Sequence, residues 1–185
     1  MKIVRAFSAP ALLLFASPAW AHPGPEQGVL AGLAHPWTGA DHLLAMVMVG
    51  MLGVARGGRA VWAWPIAFLG AMIAGFAIGR GGVALPLVEP MVLASVIMFG
   101  LAAATAIRVP VMVGAAMIAL FGLCHGHAHA AEAGSAGAMG FAIGFLASTA
   151  TLHLLGMAGG MALRQDWRRA AGGAAALAGI ALSLA

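Results

Sequence analysis

Long apolar runs with almost no charge inside them leave a chain like this one architecture. Such runs cover residues 28–54, 61–79, 86–107, 110–124, 137–162 and 170–185. Hydrophobic residues make up 63% of the 185 and charged residues 8%, and the mean hydropathy is +1.01. A water-soluble domain needs far more polar surface than that. Hydrocarbon offers no partner for backbone N–H and C=O groups, so a chain that crosses it must satisfy them internally, as helices do. The expected fold class is all-α: a polytopic membrane helical bundle of about six transmembrane helices after a cleaved signal peptide. The last run is short and rich in small residues, which makes it the weakest span.

Two readings are excluded early. The formal charge of +4 and a pI near 11.2 suggest nucleic acid, but the basic residues are scattered between apolar runs and form no patch. Cys124 is the one cysteine, so no intramolecular disulfide forms and compartment cannot be read from cysteine pairing.

The N-terminus reads as a processing signal over residues 1–21. Lys2 and Arg5 form a positive start, an apolar stretch follows, and Ala19-Trp20-Ala21 has the small-x-small pattern of a cleavage site. Cleavage after Ala21 leaves His22 as the new N-terminus of a single transmembrane helical domain, 22–185. An uncleaved first helix is the plainer alternative, but the apolar stretch is short for a span. Arginine then sets the orientation. Arg56, Arg59, Arg108, Arg164, Arg168 and Arg169 fall in the first, third and fifth links, against Arg80 alone on the other side. The positive-inside rule places those links in the cytoplasm and both ends of the mature chain in the periplasm, within a bacterial inner membrane. Trp62, Trp64 and Trp167 then lie near the cytoplasmic interface and Trp37 near the outer one.

Two polar clusters break the hydrocarbon: His35-Pro36-Trp37-Thr38-Gly39-Ala40-Asp41-His42 and His125-Gly126-His127-Ala128-His129-Ala130-Ala131-Glu132. They hold five of the seven histidines and two of the five acidic residues. Ionisable groups at membrane depth cost a few kcal/mol each and face a partner, a cavity or a transported ion. Imidazole with carboxylate is a ligand set for first-row transition metals. In the first cluster, Pro36 is expected to break the helix at His35. Thr38 is then placed to cap a new helix with Asp41 at its third position. Asp41 is either half of that capping box or a carboxylate that binds or attracts a cation. His42 falls in the first turns of the new helix, with Met46, read as packing, one turn below.

In the second cluster a helix would stack His125, His129 and Glu132 on one face, at i, i+4 and i+7, and turn His127 away. Such a face chelates an ion, with the carboxylate completing or orienting the site. The plainer alternative is a histidine-rich outer loop with affinity from composition alone. Cys124 is a soft ligand or, more simply, a small buried thiol. His153, beside Thr149 and Thr151, is either an inner site or a histidine bonded to a neighbouring helix. The letters GFAIG occur at 75–79 and at 140–144. Both have the GxxxG spacing of close helix contacts, and chance recurrence explains them better than an inverted repeat does.

The first cluster, continuing into Leu43-Leu44-Ala45-Met46, resembles the HPxxGxDHxLAM signature of the HupE/UreJ family. The second resembles that family's FHGxAHGxE motif, and the likeness in length, leader and span number extends to the whole chain. The resemblance implies uptake of nickel, in some members cobalt, in support of hydrogenase or urease maturation proteins. It also implies His35, Asp41, His42, His125, His129 and Glu132 as metal positions. Here Cys124 stands where the family often has Phe, and Ala130 where it often has Gly. Neither change removes a ligand, though a thiol beside His125 leaves metal preference open.

The resulting reading is a permease, not an enzyme, that takes Ni2+ or Co2+ from the outer side. His22 and His127 collect the ion and His153 serves deeper. The lipid bilayer is its surroundings, nucleic acid is no partner, and no organic cofactor is expected. No GxxxxGK[ST] loop is present, so this chain hydrolyses no ATP and the membrane potential favours inward cation movement. The rivals are an intramembrane zinc hydrolase with Glu132 activating water, a bis-histidine haem carrier, and a subunit that binds metal without moving it.

Overall fold

The computed structural model describes residues 28–135 and 137–185, so the cleavage site at Ala19–Ala21 and His22 lie outside the described residues. The chain is built from helices α1 (Gly28–Thr38), α2 (Ala40–Arg56), α3 (Ala60–Arg80), α4 (Val88–Thr105), α5 (Val111–Glu132), α6 (Ala138–Ala162) and α7 (Gln165–Ser183). Helices α3, α4, α5 and α6 are each long and apolar enough to cross a membrane. The pair α1–α2 meets the same test only together, bent by 83° at its break. Helix α7 starts with Asp166, Arg168 and Arg169 and is not among the helices that meet it. The architecture is thus the expected all-helical membrane bundle.

Two expectations about local structure need correcting. The break in the first run comes at Gly39, not at His35. Helix α1 continues through Pro36, and Gly39 is the extended residue between the helices, with φ −96° and ψ 117°. Packing outweighs the steric push of the proline. Gly32 of α1 lies against the Phe141 backbone, and Gly144 of α6 against the backbone of Val29 and Leu33, so α1 is clamped on α6 just before Pro36. Thr38 is not a cap. Its hydroxyl donates to the His35 carbonyl at 2.8 Å, closing α1, and Gly39 supplies no side chain to cap α2. The second correction concerns length. The run expected to end at residue 124 continues as helix to Glu132, so the second polar cluster is helix and not loop.

Backbone-to-backbone contact organises the bundle. The most extensive pairings are α3 with α5, α4 with α7, and α6 with both α1 and α2. Each is lined by glycine. Gly75 of α3 lies on the Leu123 carbonyl and Gly126 of α5 on that of Met72. Gly50 of α2 faces the His153 carbonyl and Gly156 of α6 that of Val47. Gly100 and Gly172 face each other across α4 and α7. With little net hydrophobic drive between helices in lipid, such close approach supplies the packing that joins them. The two GFAIG segments serve different neighbours: Gly75 and Gly79 meet α5, whereas Gly140 and Gly144 meet α1.

Arginine marks the two ends. Arg56 Nε donates to the Val109 carbonyl at 2.9 Å and Arg169 Nε to that of Ala104 at 2.8 Å. The arginine-rich links therefore gather at one end. Arg80 reaches the Ala133 carbonyl at 3.2 Å, at the opposite end, where the bend of α1–α2 and the last turn of α5 also lie.

Candidate metal centre

Helices α1, α2 and α5 bring His35, His42 and His129 together, and one ligand atom from each lies within 4.8 Å of the other two. Imidazole–metal bonds of about 2.1 Å put tetrahedral ligands about 3.4 Å apart, so side-chain rotation of about an ångström closes the group on an ion. The rings form a continuous edge-to-face and tilted pile, with interplanar angles of 82°, 52° and 80° along it. Their centroids are 4.9 Å apart for His35–His129, 4.7 Å for His42–His129 and 5.0 Å for His42–His125.

Each imidazole in the pile is held from behind. Asp41 Oδ1 accepts both the His42 backbone N–H and the ring Nδ1–H, each at 2.8 Å. Glu132 Oε2 stands 3.0 Å from His129 Nδ1 and 3.0 Å from His35 Nε2. Ser95 of α4 donates its hydroxyl to the Val92 carbonyl at 2.6 Å. Its oxygen is then left to accept from His125 Nε2, 3.1 Å away. A carbonyl has no proton to give, so His153 Nδ1 is the donor to the Met46 carbonyl at 2.8 Å. An N–H committed on one side of an imidazole leaves the lone pair on the other. Those other nitrogens are His42 Nε2, His125 Nδ1, His129 Nε2 and His153 Nε2. All four are buried and have no hydrogen-bond partner. A buried polar atom left without a partner costs stability, which a native fold tolerates where the atom has a use.

Asp41 and Glu132 thus stand behind histidines, the arrangement that fixes tautomer and ring direction at metal sites. The α5 face expected from spacing exists: His125 and His129 are fully buried, with Glu132 below them. His127 is turned away, its Nε2 donating to the Val83 carbonyl at 2.8 Å. Cys124 is a buried free thiol outside the three-histidine group. His153 sits deeper, on α6. The Phe68 ring meets both it and the pile, with its centroid 5.2 Å from His125 and 5.2 Å from His153. Sequence reasoning missed Ser95 and Phe68. A serine in an apolar span was the signal for Ser95, and Phe68 carried none.

The fold and the site define a class: a helical membrane bundle with a buried, carboxylate-braced imidazole cluster whose geometry could hold a metal ion. The particular family follows from comparison with known proteins. Residues 10–182 match the family model described as HupE / UreJ protein. The chain is also 43% identical over 189 residues to Protein HupE of Rhizobium leguminosarum bv. viciae, covering 98% of each sequence. The chain belongs to the HupE / UreJ family. No solved structure matches it.

Proposed function

We propose that this protein carries Ni2+, or Co2+, inward across a bacterial inner membrane to supply hydrogenase or urease maturation. The supporting observation is the row of four buried imidazole nitrogens without partners, which runs from the bend between α1 and α2 toward the middle of α6. In this reading His35, His42 and His129 receive the ion, with Asp41 and Glu132 behind them. His125 Nδ1 takes it next, and His153 Nε2, whose ring also meets Phe68, serves deeper. Within the cluster the ion passes from one imidazole to the next. His22 and His127 belong to outer collection. The arginine-rich end faces the cytoplasm, and the potential across the membrane favours inward movement of a divalent cation.

Neither chemical rival is favoured by the geometry. A zinc hydrolase needs a carboxylate held to activate water, and Glu132 Oε2 instead braces two histidines. A haem would have to enter a pile whose neighbouring rings stand 4.7 to 5.0 Å apart. Purified protein in liposomes, with initial fluxes of nickel, cobalt, zinc and copper compared, tests the proposal. Saturable nickel flux is expected. Bound metal with no flux would make the chain a binding subunit instead.

A further inference from the structure

We infer that the arginine-rich end carries a binding site for an anionic phospholipid. A cavity of about 360 Å³ opens there between α2, α4, α5 and the start of α7. Arg56, Arg108, Arg168 and Arg169 line it. No carboxylate shares the lining, and among the described residues none of the four guanidinium groups has an ion-pair partner. Arg56 and Arg169 spend their Nε–H groups on the Val109 and Ala104 carbonyls. Those bonds fix the two forks while leaving their terminal amino groups for a ligand.

Four cations around one cavity repel a divalent metal, so this space is a poor vestibule for the ion that the histidines suit. They attract phosphate, which guanidinium groups bind in bidentate fashion. Apart from Thr105 and Gln165, the rest of the lining is apolar and continues onto Met98, Leu101 and Met117, which are exposed on the outside of the bundle. Free phosphate would use only the basic rim. A phospholipid would set its phosphate among the arginines and lay an acyl chain along that wall, and basic pockets between helices on the cytoplasmic side suit such headgroups. The site joins the start of α7 to the link between α4 and α5, so bound lipid would pin α7 to the bundle.

The test is thermal unfolding of the full-length protein in neutral detergent. It is run with phosphatidylglycerol, with phosphatidylcholine of the same acyl chains, or with inorganic phosphate. A ligand that binds only the folded state raises the melting temperature, and at saturation a rise of about 5 °C is expected with phosphatidylglycerol alone. Arg108→Gln with Arg168→Gln should abolish the rise, and Arg80→Gln, at the other end, should keep it. Should the double variant not yield folded protein, Ala102→Phe, which fills the cavity and spares every arginine, should abolish it too. An equal rise with phosphatidylcholine would overturn the inference. So would a full rise with phosphate alone, or one that persists when the two arginines are lost or the cavity is filled.

Discussion

An imidazole held by a carboxylate points its remaining lone pair in one direction, and Asp41 and Glu132 do this for the cluster. Loss of such a partner weakens metal affinity by about 10- to 100-fold. Asp41→Asn keeps the shape and removes the charge, so initial nickel uptake at limiting metal should fall at least about tenfold. Normal uptake would reduce Asp41 to a local backbone brace. Glu132→Gln should be worse, because one oxygen serves both His35 and His129.

Ser95 gives a quieter test of the same principle. Ser95→Ala removes the acceptor that commits His125 Nε2–H and should slow uptake, while Ser95→Thr restores it. If alanine and threonine behave alike, the hydroxyl has no part in orienting His125. On α5, His125→Ala and His129→Ala should cost most of the uptake and His127→Ala little, since His127 is bonded to Val83 away from the cluster. Equal, mild losses at all three positions would instead mean that this end of α5 only concentrates metal.

At the scale of helices, the cluster depends on close glycine contacts between the helices that carry it. A Cβ at Gly126 would strike the Met72 backbone, whereas one at Gly159 meets nothing within 4 Å. Gly126→Ala should therefore destabilise by about 1–3 kcal/mol as α3 and α5 are forced apart. Gly159→Ala should be neutral or add about 0.5–1 kcal/mol, because alanine gives up less backbone freedom in a helix. Reversible unfolding of both variants in detergent checks this, and equal stability would mean that the α3–α5 contact yields easily. The displacement in Gly126→Ala should also lower nickel uptake, since His125 and His129 flank Gly126 on the moved helix.

At the scale of the whole molecule, the arginine-rich links and the histidine cluster lie toward opposite ends of the bundle. A cytoplasmic arginine end puts the start of α2 outside. If α7 also crosses, a reporter fused after Ala185 will be active in the periplasm and silent in the cytoplasm. The reverse result would leave α7, with its charged first turn, on the inner surface. Intact mass of the membrane-extracted protein tests the other end, and a chain that begins at His22 is the expected outcome.

Much of this molecule was legible along the chain because the governing forces are local or set by the solvent. Uncharged apolar runs cannot be solvated by water and must form helices in lipid, and the 3.6-residue period alone put His125, His129 and Glu132 on one face. The break was misplaced because proline sterics are a local rule, while α1 stays helical past Pro36 on glycine contacts with α6, more than 100 residues away in the chain. Only the tertiary structure could pair Asp41 with the His42 ring, place Ser95 behind His125, and bring the Phe68 ring against both His125 and His153. Each depends on which backbones approach closely, and that is settled by glycine stripes meeting across helices, a condition no single segment contains.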